Sequence, residues 1–166
     1  MTKQEFMAFS LPYGLKVKYI TDIIQHYSAT KYEAEFDNIF EVIKSMPILR
    51  NISDLTKTIE HKGEKFVPIE ELCKISGYNP KNYIIKENKE IKSIGLEYIR
   101  YGCVFQFAVV GLDFKCIIKR SNGNIEHVIN QLQLFQKLIE WHFDIAALIE
   151  KNEAIDVNTL EINPYK

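Results

Sequence analysis

The stretch from Ile125 to Glu150, IEHVINQLQLFQKLIEWHFDIAALIE, constrains this chain more than any other. It holds no Gly and no Pro, and Asn122, Gly123 and Asn124 lead into it. Val128, Leu132, Phe135, Ile139, His142, Ala146 and Ile149 recur at alternating steps of four and three, with Leu134, Leu138, Trp141, Ile145 and Leu148 as a second apolar row. Glu126, Asn130, Gln133, Lys137, Glu140 and Asp144 form a polar stripe opposite them. The periodicity predicts one amphipathic helix over the whole stretch, mostly covered by protein and wet on one side. At 1.5 Å per residue such a helix is about 39 Å long. A domain of this size is roughly 40 Å across, so the helix would cross the molecule and organise the rest around it.

The rest has to fit one domain. A chain of 166 residues, 46% hydrophobic with 7 Gly and 5 Pro, is expected to be a single globular domain over 1–166. The formal charge of −1 hides an asymmetry: residues 1–120 carry +3 and residues 121–166 carry −4. That argues against a strongly cationic protein that coats nucleic acid, while leaving room for a local basic face. Cys73, Cys103 and Cys116 are an odd set without CxxC spacing. They suit reduced thiols in a cytosol, not a disulfide framework or a zinc site. No apolar run approaches the ~18 residues of a membrane span and MTKQEF has no signal core, so a soluble cytoplasmic protein is expected.

Ahead of the long stretch the elements are short. In LPYGLKVKYI, Leu15, Val17 and Tyr19 alternate with Lys16 and Lys18, the pattern of a half-buried strand with a basic outer face. Tyr32, Ala34 and Phe36 alternate with Glu33 and Glu35, so a second strand would bring Glu beside Lys in an antiparallel pair. Asp37 can cap a helix through Ile39, Phe40, Ile43 and Met46 that Pro47 stops. Ser53 or Asp54 can cap another through Ile59, and Gly63 sits at the tip of HKGEKF. Pro68, with Glu70 and Glu71 in the first turn and Gly77 after Ile75, brackets a short helix. Tyr83–Ile85 is strand-like with a Lys-rich turn after it, and CVFQFAVV and FKCIIKR flank Gly111, Leu112 and Asp113 as a buried hairpin. The expected fold is α+β: a small antiparallel sheet packed against one long C-terminal helix, plus short helices.

No chemistry is forced by spacing. GxSxG, Walker A, GxGxxG and HExxH are absent. His127 and His142 stand about 22 Å apart on a continuous helix. His26 and His61 have no His, Cys or acidic partner at ligand spacing, so neither a metal nor a cofactor is expected. His142, in WHFD, would need a Ser, Cys or carboxylate brought to it for catalysis. The plainer reading is a hydrogen-bonded core histidine beside a packed Trp. Glu70 and Glu71 are adjacent on a helix, do not face each other, and serve the helix dipole. Lys57, Lys62 and Lys65 cluster around His61, with glutamates among them, as a solvated mixed-charge face. The candidate partner-binding residues are Tyr78, Tyr83, Lys86, Lys89, Lys92 and Arg100, where tyrosines that can stack alternate with cations that can hold phosphates or carboxylates.

Three segments, LPYGLKVK (11–18), PILRNISDLTKTIEHKGEKFVPIEEL (47–72) and KLIEWHFDIAALIEKNEAIDVNTLE (137–161), together resemble a widespread family of small bacteriophage and prophage proteins. The likeness covers about 60 of the 166 residues and supplies no catalytic residues to carry over. It implies a non-enzymatic phage protein that binds and inhibits a host defence protein or ribonucleoprotein. The concrete form is an anti-CRISPR inhibitor of an RNA-guided nuclease, of the RNA-targeting type VI class. Partners implied in this way are a CRISPR effector nuclease, with RNA reached through it, and no membrane. The alternative is a nucleic-acid-binding accessory factor of phage replication or regulation that uses the Lys/Tyr segment 78–101.

Overall fold

Two β-sheets, a separate hairpin and three α-helices make up the residues described by the computed structural model, which are 1–19, 45–77, 83–88, 93–98, 104–110, 113–119, 122–127 and 130–166. The fold class is α+β. The chain divides into two compact units, Met1–Ile52 with Ile139–Lys166, and Ser53–Leu138.

The first unit opens with helix α1 (Lys3–Ser10). Thr2 Oγ1 accepts the Glu5 N–H at 3.2 Å while Glu5 Oε2 accepts the Thr2 N–H at 2.7 Å, a reciprocal cap. Pro12 then opens a 3-10 turn, Leu11–Tyr13, which Gly14 closes at φ +75°, the left-handed region where glycine is favoured. Strand β1 (Val17–Tyr19) follows that turn and begins two residues later than the Leu15–Tyr19 alternation suggested. The alternation still holds in part: Leu15 and Val17 are buried, and Lys16 and Lys18 are half-buried. The strand expected at Tyr32–Phe36 and the helix through Ile39, Phe40 and Ile43 lie outside the described residues. Met46 and Pro47, placed by the sequence at the end of that helix, are instead in strand β2 (Ser45–Leu49).

β2 is the middle of a three-stranded sheet, antiparallel to β1 and parallel to the two-residue β10 (Ile155–Asp156). A proline is rare in a central strand because it has no N–H to give. Here Ile48 N–H donates to the Lys16 carbonyl at 2.9 Å, so Val17 and Pro47 form the next, non-hydrogen-bonded pair. The Pro47 nitrogen therefore faces away from β1, and β10 reaches only Ile48 and Leu49 on that side. Nothing is lost at Pro47. Ile48, Val157 and Tyr165 form a buried cluster, with Ile155 and Leu160 against it.

In the second unit, a 3-10 turn (Ile52–Thr56) replaces the helix expected through Ile59, which starts strand β3 (Ile59–His61). β3 pairs with β4 (Glu64–Phe66) across the two-residue turn Lys62–Gly63, with φ of 52° and 81°. Positive φ at both positions is the hairpin turn whose twist matches the strands. Helix α2 (Pro68–Ile75) forms as its signals predict: Pro68 sits in the first turn, and the Gly77 N–H closes on the Lys74 carbonyl at φ +84°. It buries Ile69, Leu72 and Cys73. Asn130 Nδ2 caps its far end by donating to the Ile75 carbonyl at 2.8 Å. A five-stranded antiparallel meander follows, in the order β5 (Tyr83–Asn88), β6 (Ser93–Tyr98), β7 (Val104–Val110), β8 (Asp113–Lys119) and β9 (Ile125–His127). The expected hairpin is β7 with β8.

The long helix is the main correction. Helix α3 covers only Gln131–Glu140. Before it, Ile125–His127 is a strand. A β-branched residue opens IEHVI and two more follow, a composition that favours extended backbone. After it, the chain turns repeatedly, with His142, Ala147 and Asn152 at φ of 60°, 55° and 58°. The helical phase differs too. Leu134 and Leu138 are fully buried, whereas Leu132, assigned to the main apolar row, is 70% exposed and Phe135 is half-buried. The second row faces the core along the helix, joined from the main row by Ile139, which is 3% exposed as expected of it.

Candidate functional site

The described polar side chains best suited to chemistry converge around the end of β2. Arg50, His142, Asp144 and Tyr165 are each at most 6% exposed. Arg50 follows β2, and its main chain grips the turn after α3: its N–H donates to the His142 carbonyl at 2.8 Å, and its carbonyl accepts the Asp144 N–H at 2.9 Å. Arg50 and Phe143 are thereby joined in a parallel bridge. The guanidinium turns back, with Nε donating to the Trp141 carbonyl at 3.1 Å and the charge 5.5 Å from the Tyr165 ring centre. An arginine near an aromatic face gains from the ring quadrupole.

Tyr165 closes the arrangement from the C-terminal end. Asn163 Oδ1 accepts the Tyr165 N–H at 2.8 Å, an Asx turn over Pro164 that aims the ring inward. The phenol donates to the Ile48 carbonyl at 2.6 Å and accepts the Lys16 N–H at 3.1 Å, bridging the sheet where β1 and β2 meet. Burial pushes this phenol well above its ordinary range, outweighing the Lys16 hydrogen bond and the Arg50 charge. It is a neutral donor at any physiological pH. The His142 ring stacks on it at 4.0 Å between centres and 23° between planes. The expected core position of His142 agrees with its 1% exposure, but the ring it stacks on is Tyr165, which the expectation of a packed Trp did not name, and it sits in a left-handed turn rather than a helix.

Asp144, assigned by periodicity to the wet stripe, is buried at 6% exposure. One carboxylate oxygen accepts the Leu148 N–H at 2.9 Å and the other the Ile149 N–H at 2.7 Å. Burial raises its pKa, against the lowering from the Ile149, Leu148 and Ala146 N–H groups and from Lys151. A side chain that binds its own following backbone offers the chain an alternative to the helical ladder, and this is one reason the helix stops. Arg50, Asp144 and Tyr165 each hydrogen-bond main-chain groups, so the cluster holds chain segments in place.

The sequence-derived partner residues fall differently. Tyr78, Lys89, Lys92 and Arg100 lie outside the described residues. Tyr83 and Lys86 are both in β5, in register with Tyr98 and Gly95. Their odd separation along one strand places the two positions on opposite faces of the sheet. Around His61, which is buried, Lys57 pairs with Asp54 at 2.7 Å and Lys65 with Glu60 at 3.9 Å, a mixed-charge surface of exposed Lys62, Glu64 and Lys65. Arg50 and Tyr165 were missed by sequence reasoning. The available signals were an arginine inside the apolar run PILRNI and the turn-forming NPY near the C-terminus.

Among the described residues, no three His, Cys, Asp or Glu side chains are grouped to hold a metal ion, and no helix is long and apolar enough to cross a membrane. No family model, no curated protein and no solved structure matches this chain.

Proposed function

We propose that this chain is a non-enzymatic phage-type protein that binds and inhibits a host defence protein or ribonucleoprotein in the host cytoplasm, most concretely an anti-CRISPR inhibitor of an RNA-guided nuclease. The observation that carries this reading is the buried cluster. Its Arg, Asp and Tyr side chains hold main-chain groups of β2, of the turn after α3 and of the residue preceding β1. Among the described residues the richest polar grouping is thus a structural clasp, which supports recognition at the surface, and the phage resemblance of segments 11–18, 47–72 and 137–161 supports a target class for it.

The test is inhibition of a purified type VI effector cutting a labelled RNA. The expected result is a loss of cleavage that saturates near one inhibitor per effector. Full cleavage at large molar excess removes the anti-CRISPR reading. Direct binding of free RNA or DNA by the purified chain, weakening steeply with salt, would favour the nucleic-acid accessory factor instead.

A further inference from the structure

The register of the meander sorts its positions into two unlike faces. One face carries the rows Ile85–Leu96–Phe105–Ile118–Glu126 and Glu87–Ile94–Phe107–Cys116, together with Tyr83, Tyr98, Val109 and Phe114, so it is apolar apart from a glutamate in each of two rows. The other carries Asn88–Ser93–Ala108–Lys115, Lys86–Gly95–Gln106–Ile117–His127 and Ile84–Glu97–Val104–Lys119–Ile125. All the Phe and Tyr positions of the five strands belong to the first face and none to the second. Such an amphipathic sheet packs its apolar face and leaves the mixed one for water or a partner. Helix α2, which buries Ile69, Leu72 and Cys73, lies beside β6, and the apolar face is the one suited to cover it. Ile125, opposite Lys119 on the second face, is 57% exposed.

We propose that the lysine-bearing face of the meander, marked by Lys86, Lys115 and Lys119, is a docking surface for a protein whose contacting surface is net acidic. This rests on the reading above that the chain acts by binding a partner, and it names where and to what chemistry. Three cations against Glu97 and Asp113 give the face a small positive balance. Apolar positions (Val104, Ala108, Ile117, Ile125) are interleaved with the lysines, a mixed composition that suits a protein partner. Single-stranded nucleic acid instead needs aromatic platforms on which bases stack, and the face has none. β5 and β8 are three strand spacings apart, about 14 Å. Lys115 and Lys119 are about 13 Å apart along β8. So sparse a triangle suits separate carboxylates on a folded partner.

The experiment compares capture by the full chain, by Lys86→Glu/Lys115→Glu/Lys119→Glu, and by a control reversal of Lys62 and Lys65 in the β3–β4 hairpin, from nuclease-treated host lysate. The captured protein is then identified and its affinity measured. Support is a captured protein of acidic surface that survives nuclease, loses roughly tenfold or more in affinity with the triple reversal, and keeps its affinity with the control. If the Glu variant fails to fold by circular dichroism, the same three positions changed to Gln carry the comparison. Unchanged affinity in the triple variant overturns this surface while leaving the partner-binding reading intact. So does a fluorescently labelled 20-nucleotide RNA that binds the wild type and not the variant, since nucleic acid would then be the occupant. Capture of nothing by the wild-type chain overturns both.

Discussion

The two sheets of this protein are assembled by opposite strategies. The meander joins β5 through β9 with every strand paired to its neighbour in sequence. The three-stranded sheet instead brings together residues 17–19, 45–49 and 155–156 from both ends of the chain. Local pairing closes short loops at little entropic cost, whereas the second sheet must close very long ones before any contact rewards it. The three-stranded sheet is short, one of its strands having only two residues, and it is held by Tyr165, Arg50 and Asp144 acting on main chain.

If that comparison is right, the non-local sheet should fail first when its clasp is cut. Tyr165→Ala should destabilise the Met1–Ile52/Ile139–Lys166 unit by about 3–5 kcal/mol. Tyr165→Phe, which keeps the ring and leaves the Ile48 carbonyl and Lys16 N–H to find other partners, should cost about 1–3 kcal/mol. Amide hydrogen exchange resolves the units: protection should drop in β2 and persist in β7. Equal loss in both strands would show that the two sheets unfold together and that the clasp is not specific to one.

The next test concerns the ten-residue helix. Leu138→Ala removes a fully buried side chain and should cost about 2–5 kcal/mol. Leu132→Ala, at a position 70% exposed, should change stability by less than about 0.5 kcal/mol. The contrast is read from denaturant midpoints. A reversed order would restore the phase that the apolar spacing of 125–150 first suggested.

What could be read from sequence divides along the same line. Helix α2 was legible because Pro68, Glu70, Glu71 and Gly77 act within a turn of themselves, and the β7–β8 hairpin because its strands are adjacent and rich in Val, Ile and Phe. The end of α3 was not. Glu140 through Ile149 keeps a helical apolar rhythm, but Arg50, some ninety positions earlier, takes the His142 carbonyl and the Asp144 N–H, and Asp144 takes the N–H groups of Leu148 and Ile149. Tertiary bonds of that kind override a propensity worth only tenths of a kcal/mol per residue. The same holds for the candidate surface. Alternating Tyr and Lys in 78–101 looked like one patch, yet only register could assign Tyr83 and Lys86 to different faces and place Lys115 and Lys119 with the latter.

Asp144 lets the non-local region be titrated. Burial is the largest influence on its carboxyl and raises the pKa, with the Ile149, Leu148 and Ala146 N–H groups and Lys151 opposing. A carboxyl whose folded pKa is raised contributes stability that is fully present below its unfolded value, about 3.9, and is lost as pH rises through the folded value. The advantage of wild type over Asp144→Asn should therefore shrink from acid toward neutral pH. At neutral pH the substitution should still cost about 1–3 kcal/mol, because one amide oxygen cannot serve two N–H groups held by separate carboxylate oxygens. Melting temperatures of both proteins across that range decide it. An advantage that grows with pH would mean the N–H groups outweigh burial.

The smallest effect is expected in a local element, at the tip of the β3–β4 hairpin. Lys62 holds φ at 52° beside Gly63 at 81°, and a side chain with a Cβ in the left-handed region costs roughly 1–2 kcal/mol, less for Asn, whose short amide can bond locally. Asn-Gly is the preferred pair for a turn with positive φ at both positions. Lys62 is exposed and the turn spans only the two strands it joins. Lys62→Asn should therefore stabilise the Ser53–Leu138 unit by about 0.5 kcal/mol. The gain should appear as slower exchange at Ile59 and Phe66, the pair at the hairpin's open end, with no change at β2. A loss of stability would show that the Lys62 side chain contributes more than its backbone strain costs, and that even this hairpin depends on contacts beyond its own turn.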